Sequence, residues 1–291
     1  MTDLADLELD KPTVDPDDNR GRGRVLLAAI VAGVLVAAVG IGYVALRRSA
    51  PQGPGRAATK PTVAPSAPAP DLRPEPGEDI VLPPLDQTDS LVRQLVQRLS
   101  SHPRLAAWLA TNGLIQNFTV VTLNIANGET PAGHLRPLAP ASPFRATGTA
   151  GTFHLDPRSY QRYDTYADAV GGLDARSTAR LYATLKPRIT EASRELGNPQ
   201  ADFDPVLERA IVELLRVPVV EGEVPLTAKV ISYRFADSRL EALSAAQRQF
   251  LRMGPRNVRM VQSKLREIAL YLGIPNSRLP KPAERSADAR R

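Results

Sequence analysis

The run VLLAAIVAGVLVAAVGIGYVAL, from Val25 to Leu46, holds 22 residues without a charge or a strongly polar side chain. A helix on the surface of a soluble core needs a polar face, and this run offers none. At 1.5 Å per residue it is long enough for a hydrocarbon layer of about 30 Å. The sequence therefore predicts a single transmembrane helix. Arg20, Arg22 and Arg24 precede it and Arg47 and Arg48 follow, cations that belong in the headgroup zones, with Tyr43 close to the distal interface. A cleaved signal peptide would have an apolar region of about 7 to 15 residues and a small-residue cleavage site. Here the run is longer and ends in Arg-Arg.

That segment divides the chain. Residues 1–24 carry seven acids and four bases with no apolar periodicity, the composition of a disordered charged tail. Residues 47–84 read as a Pro-rich linker, with ten prolines between Ser49 and Pro84 and the run VAPSAPAP at 63–70 favouring extended polyproline II. Residues 85–273 form the globular region, and 274–291 read as a disordered basic tail. Lys11, Arg20, Arg22 and Arg24 balance Arg47, Arg48, Arg56 and Lys60 across the span, so charge alone gives no orientation. The short N-terminal tail predicts that this end stays in the cytoplasm and that the C-terminal domain crosses. Ala29, Gly33 and Ala37 recur every four residues, as do Ala32, Val36 and Gly40, a spacing compatible with a homo-oligomer. The plain abundance of Ala and Gly in the segment explains it more cheaply.

The globular region reads as mainly α, a multi-helix domain with one or two short β elements. Leu91, Val92, Leu95, Val96 and Leu99 share a face after the cap residues Thr88 and Asp89. Pro103 starts a short helix with Leu105, Trp108 and Leu109 inward, ended by Asn112-Gly113. A third helix runs from Leu114 to Ala126, although the β-branched FTVVTLNI leaves a strand open. Short strands are expected at Phe144 to Thr147 and Thr152 to Leu155. Asp156-Pro157 opens a helix through Val170, closed by Gly171-Gly172. The next carries the stripe Leu181, Leu185, Ile189, Ala192 and Leu196, with a kink expected at Pro187. Asp204 caps a further helix, and Leu226 to Phe235 reads as one strand without a partner. Ser244 and Gln247 make a capping box. Pro255 begins a last helix with Val258, Val261, Leu265, Ile268 and Leu272 inward and Arg256, Arg259 and Arg266 on the opposite face.

Chemistry is sparse. With no cysteine there is no disulfide, no thiolate nucleophile and no cysteine-ligated metal. Gly-rich phosphate loops, metal-spaced His pairs, Gly-x-Ser-x-Gly elbows and Ser-x-x-Lys dyads do not occur, so no catalytic residue, cofactor or metal is assigned. His102, His134 and His154 stand far apart. The acid pairs Asp202 with Asp204 and Asp237 with Glu241 suit caps better than a hydrolase's two carboxylates. The most suggestive cluster is Arg248, Arg252, Arg256 and Arg259 around Met253-Gly254-Pro255, where guanidinium groups and a helix N-terminus could meet an anionic partner. A net charge of +6 without an aromatic ladder disfavours nucleic acid.

HLRPLAP (134–140), LDPRSYQRYD (155–164), LYATLKPRITEASRELG (181–197) and YRFADSRLEALSAAQRQFLRMGP (233–255) carry a resemblance. They are similar to the bacterial membrane-associated family called domain of unknown function 3014, over about Leu82 to Leu272. The resemblance implies one N-terminal anchor, a Pro-rich spacer and this domain, placed in the bacterial envelope. It gives no residue a role. The expectation is an inner-membrane protein whose periplasmic domain binds or scaffolds a protein or an envelope polymer. Two competitors are a cell-wall or lipid-directed hydrolase and, with the topology reversed, a cytoplasmic nucleic-acid binder that uses Arg256 and Arg259.

Overall fold

A computed structural model describes residues 74–98, 109–131, 139–140, 142–149, 152–198, 202–229 and 232–282. The expected transmembrane segment, the N-terminal tail and the helix begun by Pro103, apart from Leu109, lie outside them. Among the described residues no helix is long and apolar enough to cross a membrane.

The helices are α1 (Asp89–Gln97), α2 (Leu114–Ala126), α3 (Arg158–Gln161), α4 (Asp164–Gly171), α5 (Ala175–Glu195), α6 (Asp204–Leu215), α7 (Ser238–Glu241), α8 (Ala245–Leu251) and α9 (Pro255–Tyr271). Four short strands, β1 (Ala146–Thr149), β2 (Thr152–Leu155), β3 (Pro225–Ala228) and β4 (Tyr233–Phe235), form one antiparallel sheet in chain order. Helix α2 packs on α5 and α6, and α9 packs on α4, α5 and α6. The core lies between them, with Phe118, Tyr166, Phe203, Phe250, Val258 and Val261 almost wholly removed from water. The sheet adds Leu155, Leu226 and Phe235 to this core. Thr149, Thr152, Pro225 and Thr227 are exposed.

Mainly helical is what the periodicity predicts, and the sheet is larger than expected. Leu226 to Phe235 is not one lone strand: Lys229 N–H donates to the Ser232 carbonyl, and β3 turns back as β4. The missing partner is β2, with Phe153 opposite Leu226. The strand expected at Phe144 to Thr147 begins two residues later, at Ala146. The FTVVTLNI stretch is helical, because Phe118, Val121, Thr122 and Ile125 fall on one buried face of α2. Tertiary burial thus overrides β-branched propensity.

Several caps act elsewhere than expected. Thr88 turns its hydroxyl to the Leu85 carbonyl. The Asp89 carboxylate accepts from Gly113 N–H and Leu114 N–H, each at 2.8 Å, and so caps α2 rather than its own helix. Gly113 makes this turn with φ of 66°. The helix expected after Asp156-Pro157 breaks at Arg162–Tyr163 into α3 and α4. Helix α5 continues through Pro187 to Glu195, and Leu196, expected inward, is 48% exposed. The Ser244/Gln247 capping box forms as predicted.

The ordered fold also outruns both ends drawn from composition. Ile274 and Leu279 are buried, around a short 3-10 turn at Asn276–Arg278. Residues 74–84, counted with the linker, lie against the helices, as described next.

Candidate functional site

Helix α5 presents Arg176, Arg180, Thr184 and Arg188 at every fourth position, which places them along one face. Residues 75–82 run along that face as a strap. The Glu75 side chain, only 15% exposed, lies 3.1 Å from Arg176 and 3.5 Å from Arg180. Its backbone N–H donates to the Tyr271 carbonyl at 2.9 Å. Three residues on, Glu78 N–H donates to Thr184 Oγ1 at 2.8 Å, while that hydroxyl donates to the Arg180 carbonyl. Arg188 Nη2 then donates to the Leu82 carbonyl at 3.0 Å, and Nη1 of the same guanidinium pairs with Glu191.

Local chemistry explains where the strap crosses. Pro187 has no N–H, so the Ala183 carbonyl loses the donor that an α-helix would supply from four residues on. Gly77 crosses at this turn, where a Cβ would stand 2.7 Å from Thr184 N and 2.9 Å from the Ala183 carbonyl carbon. No residue with a side chain fits without moving the strap.

Strap, α5, α6 and the C-terminal hook made by residues 272–279 border a groove of about 340 Å³, lined by Pro74, Gly77, Tyr182, Leu207, Tyr271 and Ile274 among others. Its polar groups are tied in pairs. Tyr182 donates its phenol proton to Asp204 at 2.6 Å, and Lys186 bridges Asp204 at 2.6 Å and Asp202 at 2.9 Å. Arg278 pairs with Glu208 at 3.2 Å. Burial, then the bond to Asp204, pushes the Tyr182 phenol well above its ordinary range. Burial pulls Lys186 down, but its two carboxylate partners outweigh this and hold it above the usual ammonium value. Burial likewise pushes Asp202 up, and Lys186 with the Asp204 N–H outweighs it, leaving Asp202 low.

The four arginines singled out from sequence separate. Arg248 donates to the Glu241 and Leu243 carbonyls, closing the end of α7. Arg252 lies over Phe235, 5.6 Å from its centroid, and donates to the Tyr233 carbonyl. Both therefore secure the sheet side. Arg256 pairs with Asp168 at 2.8 Å and stands 3.7 Å from Asp164, on α4. Arg259 pairs with Glu221. Sequence proximity grouped the four, whereas the fold gives each its own structural partner.

Of the histidines, His154 lies on β2, 3.7 Å from Glu223, and the other two fall outside the described residues. Asp237 caps α7 through Arg239 N–H, and Glu241 accepts from Phe235 N–H. Among the described residues no group of three His, Asp or Glu side chains could hold a metal ion.

The family model described as "Protein of unknown function (DUF3014)" matches residues 114–269, more than half of the chain. The chain belongs to this family. The DUF3014 span runs from the start of α2 nearly to the end of α9, and so contains the Arg176 to Arg188 face, Tyr182, Lys186 and Asp204. The strap and the C-terminal hook lie beyond it on either side. No curated protein and no solved structure matches the chain.

Sequence reading missed the strap and its track. The signal was present as arginines 176, 180 and 188 in four-residue register with Thr184, a spacing that reads equally well as the solvated side of any amphipathic helix.

Proposed function

We propose that this DUF3014 protein is a binding or scaffolding module, anchored by Val25 to Leu46 in a bacterial inner membrane and carried on the periplasmic side by its Pro-rich stretch. The observation that carries the reading is the strap. The chain leaving the expected anchor enters the domain as one wall of a groove, so the point of tethering and this groove coincide. A spacer with no further role has no need to be built into a pocket wall.

The distribution of reactive groups supports binding over turnover. Asp202 and Asp204 are both held by Lys186, and Asp237 and Glu241 serve backbone N–H groups. Arg256 and Arg259, the residues a nucleic-acid reading would use, already face Asp168 and Glu221.

The placement is tested by adding protease to osmotically opened cells whose inner membrane is intact. Digestion of the region after Leu46 is the expected result. Protection of that region beside a cleaved periplasmic control would overturn the periplasmic placement.

A further inference from the structure

The strap and the α5 face match each other residue by residue. From Arg176 to Arg188 the helix advances roughly 18 Å at 1.5 Å per residue. From Glu75 to Leu82 an extended chain advances roughly 22 Å at 3.1 Å per residue, and the two run in the same direction. Along this length the helix reads one carboxylate, with Arg176 and Arg180, one backbone N–H, with Thr184, and one backbone carbonyl, with Arg188. Glu75 is the one strap side chain in these polar contacts, while Ile80 and Leu82 pack against the core. Pro74, Pro76, Gly77, Glu78 and Asp79 are exposed, and Val81 is 97% exposed. Residues 75–79 are thus held by a few polar clasps with little apolar burial, so this stretch, unlike Ile80 and Leu82, is the part that separates at low cost.

We propose that the Arg176–Arg180–Thr184–Arg188 face is a docking track for an extended acidic protein segment, and that residues 75–82 occupy it in cis until a partner segment of the same chemistry takes their place. The partner supplies a carboxylate for Arg176 and Arg180 and, about three residues later, a free N–H for Thr184. Its backbone must pass Ala183 and Thr184 closely, which requires glycine where Gly77 now lies. Bidentate-capable guanidinium groups make the carboxylate the main source of selectivity. Displacing the strap also removes a wall of the groove, so that Tyr182, Leu207 and Tyr271 become available to flanking residues of the partner. The inference rests on the reading of the domain as a binding module and names the partner class.

The test uses the full-length chain in detergent and a fluorescent peptide of sequence RPEPGEDIVLPP, residues 73–84, followed by anisotropy. In the wild type the cis strap competes. Gly77→Val, which cannot keep the strap in place, is expected to bind the peptide about tenfold more tightly, the gain from freeing a track that is roughly nine-tenths occupied. Adding Arg176→Gln and Arg180→Gln to that variant, or Glu75→Gln to the peptide, should abolish the gain. Equal affinity of wild type and Gly77→Val, or indifference to the carboxylate, would overturn the proposal. If Gly77→Val lacks wild-type helical circular dichroism, Glu75→Gln in the chain makes the same comparison. Tighter peptide binding then supports the track, and unchanged binding overturns it. Binding in detergent is independent of membrane sidedness, so failure here and failure of the protease experiment are distinguishable.

Discussion

At the scale of single residues, most polar side chains of this domain complete backbone hydrogen bonding. Gln262 illustrates the rule. Its buried amide donates to the carbonyls of Leu214, Leu215 and Val217 where α6 ends, and of these Leu214 also accepts from Val217 N–H. Replacing Gln262 with Ala takes this donor from the Leu215 and Val217 carbonyls, and thermal or denaturant unfolding should show a loss of about 1 to 3 kcal/mol. Tyr182→Phe removes one hydrogen bond to Asp204 while keeping the ring, so a loss of about 1 kcal/mol is expected from the same measurement. Asp202, whose folded pKa is depressed, contributes stability that is present above its unfolded value of about 3.9 and is lost as pH falls through the folded value. Lys186, raised in the fold, contributes below about 10.4 and loses that contribution as pH rises through its folded value. The contribution of the Asp202–Lys186 pair should therefore be insensitive to pH between about 5 and 9. Unfolding of Asp202→Asn across pH should show a smaller fall on the acid side than wild type and no new dependence near neutrality.

At the scale of elements, the sequence made legible what local chemistry decides. The capping box at Ser244, the Pro255 start of α9 and the Gly113 turn before α2 are each specified within a few residues. Features decided at a distance were not legible. Asp89 caps a helix twenty-five residues away, β3 finds β2 across seventy residues, and Glu75 reaches α5 about a hundred residues on. Nothing in the local pattern distinguishes these from ordinary caps, lone strands or linker acids. Nor does sequence spacing show that Arg248 and Arg256, close in sequence, face α7 and α4 respectively. The junction between α8 and α9 is tight. Gly254 holds φ of 84°, and a Cβ there would meet the Tyr160 ring at 2.3 Å. Gly254→Ala should destabilise by about 3 kcal/mol, from strain and overlap together, with the unfolding midpoint as readout.

At the scale of the whole molecule, the expected membrane helix and Pro-rich stretch lead into the helical domain through one contact surface. Residues 75–82 are docked on α5 as part of the fold and do not merely lead to it. Amide hydrogen exchange on the full-length chain in a bilayer tests this most directly. The N–H groups of Glu75 and Glu78, bonded to Tyr271 and Thr184, are expected to exchange about tenfold more slowly than an unstructured chain, and Gly77→Val to release both. Exchange of both amides at the unstructured rate in the wild type would contradict this docking.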